Sequence, residues 1–193
     1  MKIKLIVAII SFFSVLCFGQ KKEVDYHEGI RRDFTSFFKN IKDKEIEKAV
    51  DFIYPKYIAG IGRDKMFTIL SLAYNNPAFA TDIQDFKVDH IKKPEFIKEE
   101  YFSMIDYSFA MNFKVDWKVI NDPESMKQKI HDALMLRYGK DHVTYFSDGD
   151  YYSIHAHMKA CAVSKNEKNW KFLLVEENNK PVNILPQKVL DKF

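Results

Sequence analysis

The chain has 193 residues, 47% hydrophobic, 15% aromatic and 30% charged, with 30 Lys+Arg against 27 Asp+Glu and a net charge of +3. That is one domain's length, too apolar to be disordered and too near neutrality for an electrostatic nucleic-acid binder, so no nucleic-acid partner is expected. Two cysteines exclude a disulfide scaffold and a Cys-rich zinc module.

The N-terminus reads as an address. Lys2 and Lys4 precede the uncharged run Leu5–Leu16, which is shorter than the roughly 20 residues that span a bilayer. Cys17-Phe18-Gly19 places small residues where a signal peptidase reads, predicting cleavage before Gln20. Leu16 is too large for the position before a lipidated cysteine, which argues against acylation of Cys17. The expected layout is a signal peptide over 1–19 and a single α+β domain over 20–193. Export to the periplasm or medium follows, with no stable membrane insertion after cleavage. Cys161 is then the one remaining thiol and is expected to be a buried, inert residue.

Helices come first. Ile30, Phe34, Phe37, Phe38 and Ile41 form one stripe at helical spacing, predicting a helix over 24–41. Asp43 is placed to cap a second helix carrying Ile46, Ala49, Val50 and Ile53, with Pro55 as its stop. Asp64 is placed to cap a third, with Met66, Ile69, Leu70 and Ala73 inward, ended by Asn75-Asn76-Pro77.

From Asp82 the period shortens from 3.6 to 2. A weaker strand at 83–91 precedes Ile105–Trp117, where Ile105, Tyr107, Phe109, Met111, Phe113, Val115 and Trp117 alternate with polar or small residues. Asp122-Pro123 then opens a helix inserted between strands, with Met126, Ile130, Ala133, Leu134 and the stem of Arg137 inward and Gly139 at its end. Strands over 142–147 and 151–163 flank Asp148-Gly149, read as a tight hairpin turn with two positive φ angles. A strand over 170–176 and a short terminal helix over 186–193 complete the chain. The predicted fold class is α+β, with N-terminal helices packed on a curved, cone-like antiparallel sheet.

The stretches Ala49-Val50-Asp51-Phe52-Ile53-Tyr54-Pro55-Lys56, Asp64-Lys65-Met66, Trp170-Lys171-Phe172-Leu173 and Ile184-Leu185-Pro186 resemble the nuclear-transport-factor-2-like (SnoaL-like, cystatin-like) superfamily, within a group of exported bacterial proteins. The resemblance spans most of residues 25–193. It implies a curved sheet whose concave face and helices enclose a pocket, often in a homodimer packed through the convex faces. None of the superfamily's catalytic motifs matches, so no catalytic residue is carried over, and the helix over 122–138 departs from the simplest cone.

Candidate chemistry is sparse. No nucleophile elbow, zinc-protease helix, phosphate loop or dinucleotide fingerprint occurs, and no cofactor is expected. Asp148-Gly149-Asp150 lacks the later ligands of a calcium loop and reads as a turn. His155 and His157 share the polar face of their strand, roughly 7 Å apart, which is a weak metal pair needing a third ligand such as Asp106 or Glu99. Lys159 on that face opposes a cation, so no metal is assigned. Tyr54, Tyr57, Tyr107, Phe109 and Phe113 are the candidate pocket lining, suited to a small apolar or aromatic ligand. The leading expectation is therefore non-catalytic binding of a small molecule or protein partner. The alternatives are a dimerising module using the His155–His157 face, and an acid–base isomerase or hydratase drawing on Asp106, His90, Tyr107 or His155.

Overall fold

The computed structural model describes residues 25–176 and 181–193; the signal-peptide reading falls on residues outside these. Helix α1 spans Tyr26–Lys42, and the Asp25 side chain caps it by accepting from the Glu28 N–H at 3.2 Å. Its predicted stripe is buried, and Gly29 is buried with it. A Cβ on Gly29 would stand 3.1 Å from the Trp170 indole nitrogen, so the glycine lets that ring lie flush on the helix. The Trp170 backbone N–H donates to the Asp33 carboxylate at 2.9 Å, and Arg32 donates to the Lys168 carbonyl at 3.0 Å. These contacts fasten α1 to the final hairpin of the sheet.

Three short helices follow: α2 (Ile46–Val50), α3 (Pro55–Ile61) and α4 (Arg63–Tyr74). Three expectations are corrected here. Asp43 closes α1, its N–H donating to the Lys39 carbonyl at 2.8 Å, because Lys44 takes a left-handed φ of 61° and turns the chain before α2. Pro55 starts a helix instead of stopping one, since its preset φ and missing N–H suit the first turn. Likewise Gly62, at φ 94°, precedes α4 where Asp64 was expected to cap it.

The six-stranded antiparallel sheet is built on two long strands, β3 (Glu100–Val115) and β5 (Tyr151–Ser164). Strands β1 (Phe79–Ile91) and β2 (Glu95–Ile97) pair with successive lengths of β3. Strands β4 (Val143–Phe146) and β6 (Lys171–Val175) pair with successive lengths of β5. Splitting both flanks lets the sheet curve, and register shifts at Gln84/Lys87 and Val88/His90 bend β1 further. The bend carries Phe86 onto Phe38, ring centroids 4.2 Å apart, and within 5.8 Å of Phe34.

Alternation holds as expected from Ile105 to Met111 on β3 and from Tyr152 to Ala156 on β5, whereas Trp117, expected on the same strand as Ile105, lies beyond its end in a 3-10 turn. Ile105, Tyr107, Phe109 and Met111 are buried, as are Tyr152, Ile154, Ala156, Ala160 and Ala162. Helix α1 packs on this concave face with an aromatic core of Phe34, Phe38, Tyr107 and Phe172. The inserted helix α5 (Pro123–Tyr138) has Asp122 as N-cap and Gly139, φ 90°, after its last turn. The β4–β5 turn is also corrected. With Phe146 opposite Tyr151 the loop spans 147–150, and Asp150 takes the positive φ of 51° while Gly149 does not.

At one end of the sheet the convex face is buried too. Phe102, Met104, Cys161, Val163, Leu173 and Val175 are covered by Leu185, Val189 and Leu190, the last two on α6 (Gln187–Leu190). Cys161 is fully enclosed there, and burial pushes its thiol pKa up.

Candidate binding site at the mouth of the sheet

Between Ile154, the last β5 residue paired with β4, and Lys159, the first paired with β6, that edge of β5 has no partner strand. Helix α5 and its following turn lie across the gap. A cavity of about 660 Å³ sits there, lined by the end of α5 (Ala133, Leu136, Arg137, Tyr138) and by His142, His157, Met158, Lys159, Val175, Glu176 and Phe193. A second cavity of about 570 Å³ lies among α3, α4 and β6, with Tyr57, Met66, Leu70, Phe172, Leu174 and Ile184 among its walls. Both fall in the size range of small-molecule sites.

The two cavities share two residues, Arg137 and Glu176, which form an ion pair at 3.0 Å. Each side chain is about 40% exposed, so the pair is a rim and not a buried bridge, and its own stabilising effect is small. The Arg137 guanidinium lies 5.5 Å from the centre of the Tyr138 ring. Tyr74 at the end of α4 and Tyr107 on β3 lie within electrostatic reach of both Arg137 and Glu176. Burial raises all three phenol pKa values against the opposing charge of Arg137, with neighbouring phenols adding at Tyr107 and Tyr138 and Glu176 adding at all three, and Tyr138 is pushed up to about 12. None of their hydroxyls hydrogen-bonds to a described residue.

The residues expected to line a pocket are distributed differently. Tyr57 lines the second cavity. Tyr107 and Phe109 belong to the aromatic core, stacked 6.2 Å apart, and Phe109 reaches Tyr138 at 6.3 Å. Phe113 packs against Phe79 and Tyr152. Tyr54 lies at the buried end, where its hydroxyl donates to Glu100 at 2.7 Å. Lys56 donates to the same Glu100 oxygen at 2.6 Å. Burial acts to raise the Glu100 pKa, but the bonds from Lys56 and Tyr54 outweigh it and hold the carboxyl below its ordinary range.

The polar-face candidates do not converge. His155 and His157 are exposed and stand opposite Ala110 and Ser108, while Asp106 stands opposite Lys159 and Glu99 lies in the β2–β3 turn. Among the described residues no group of three or more His, Cys, Asp or Glu is placed to hold a metal. Of the acid–base candidates, Tyr107 is buried on the concave side, whereas His90 and His155 are exposed. No described helix is long and apolar enough to cross a membrane.

Sequence reasoning missed Glu176, Tyr74 and Tyr138, and used Arg137 only for its aliphatic stem. The available signal was Arg137-Tyr138 in the last turn of a helix whose other inward residues are apolar. No protein-family model matches the chain, and no curated protein matches it.

Proposed function

We propose that this chain is an exported, non-catalytic binding domain of the nuclear-transport-factor-2-like kind, taking a small apolar or aromatic ligand at the mouth of its curved sheet. The observation that carries this reading is the meeting of two ligand-sized cavities at one half-exposed ion pair, with three phenols nearby whose hydroxyls hydrogen-bond to no described residue. The leader-like residues 1–19 and the resemblances around Tyr54 and Trp170 support export and the superfamily.

Native mass spectrometry of the protein purified from its own host tests it. The expected result is an excess mass that denaturation releases, with the denatured mass showing loss of residues 1–19. Leu174→Trp, filling the second cavity, should abolish the excess mass. A clean multiple of the chain with nothing bound would overturn the pocket reading and favour a dimerising module.

A further inference from the structure

We infer that the ligand is an amphiphile with an anionic head, bound by Arg137 in exchange for Glu176, and an apolar tail in the second cavity. This rests on the binding reading above and specifies its chemistry. The second cavity is apolar along α3, α4 and β6, and among the described residues its charged wall residues are Arg137 and Glu176. Its far wall is also incompletely covered, since Ile69 is 45% and Val182 63% exposed. An apolar tail would cover that surface.

The head group follows from donors and acceptors. Arg137 carries five N–H donors, and among the described residues their one charged partner is Glu176. The hydroxyl of Tyr138, on the wall of the first cavity, adds another donor without a described acceptor. The first cavity adds Lys159, His142 and His157, the two imidazoles 5.8 Å apart. Against them the described residues of the shared rim offer one carboxylate, that of Glu176. A site rich in donors and poor in acceptors selects an anion, and a planar guanidinium selects a carboxylate most readily. Glu176 then occupies the place of the ligand's head group while the site is empty, and the ligand must outcompete it.

The test is displacement of the neutral fluorophore N-phenyl-1-naphthylamine by three probes of equal chain length: decanoate, decanol and decyltrimethylammonium. Decanoate should displace it at about tenfold lower concentration than decanol, the weight of one charge-assisted contact. Arg137→Gln should erase that advantage, read as the ratio of the decanol and decanoate concentrations that displace the fluorophore. Glu176→Gln should sharpen it several-fold, by removing the internal competitor. If Arg137→Gln loses the fluorophore as well, Glu176→Gln decides alone. Fluorophore binding with decanoate no better than decanol, or with the ammonium best, overturns the anionic head and leaves the cavity reading standing. No binding of the fluorophore or of any probe overturns both.

Discussion

The two ends of the sheet are built from the same strands and finished in opposite ways. At the closed end β3, β5 and β6 are buried on both faces, by α1 on the concave side and by the 181–193 segment on the convex side. At the mouth the convex face stays wet and the covering helices are loosely seated. Helix α5 has no buried residue and α4 only Met66, while Leu72 and Leu136 stand 59% and 74% exposed. The room for a ligand therefore lies under the loosely seated helices α4 and α5, both cavities reaching back along β6 to the 181–193 segment, as expected of a fold whose binding elements come from its least stable parts.

The largest test of that division is Phe34→Ala. Phe34 is fully buried and meets Phe37, Phe38, Phe86, Tyr107 and Phe172 within 4.7 to 6.2 Å, centroid to centroid. Its loss should cost about 3–5 kcal/mol in chemical denaturation, the usual penalty for emptying a large aromatic site. A cost under about 1 kcal/mol would show that the core is not organised around α1.

Next is the buried carboxylate at the closed end. Glu100 is 6% exposed and accepts from Tyr54 and Lys56. Glu100→Gln should cost about 1–2 kcal/mol at neutral pH, Lys56 being too exposed to add a full buried ion pair. Because the folded carboxyl is held below its ordinary value of 4.5, its stabilisation is complete above that pH and fades as pH falls through the folded value. Denaturation midpoints of the wild type and Glu100→Gln should thus converge on acidification. Parallel curves would remove Glu100 as the cause.

The closed end was less legible in the sequence than the concave face. The alternation of Ile105, Tyr107, Phe109 and Met111 announces a half-buried strand because each side chain there meets a single environment. Phe102-Ser103-Met104-Ile105 and Ala160-Cys161-Ala162-Val163 break alternation because both faces are covered, and such runs signal double burial without naming the cover. That cover is the distant segment holding Leu185 and Leu190, which no local pattern ties to β5. The mouth was obscured for a related reason. Arg137 and Glu176 lie on different elements, and only the pairing of β6 with β5 brings them together. Pro55 and Asp43 misled differently, since a proline or an aspartate at a helix boundary fits either side of it until the neighbouring φ values are known.

The contrast is sharpest along β5 itself, where one strand passes from the mouth into the closed end. Cys161 is fully buried and its thiol pKa is raised, whereas His157, further back on the same strand, is exposed at the rim of the first cavity. Iodoacetamide should leave Cys161 unmodified in native protein, because reaction needs both access and thiolate. A cysteine placed by His157→Cys should react at the rate of a free thiol, with little change in stability. Peptide mapping of the labelled protein separates the two sites. Cys161 should become reactive only as the protein unfolds globally, with the denaturant dependence measured for Phe34→Ala and the wild type. Labelling of Cys161 under native conditions at a rate independent of global stability would mean that the 181–193 segment lifts away by itself. The closed end would then be a second, separately opening part of the fold.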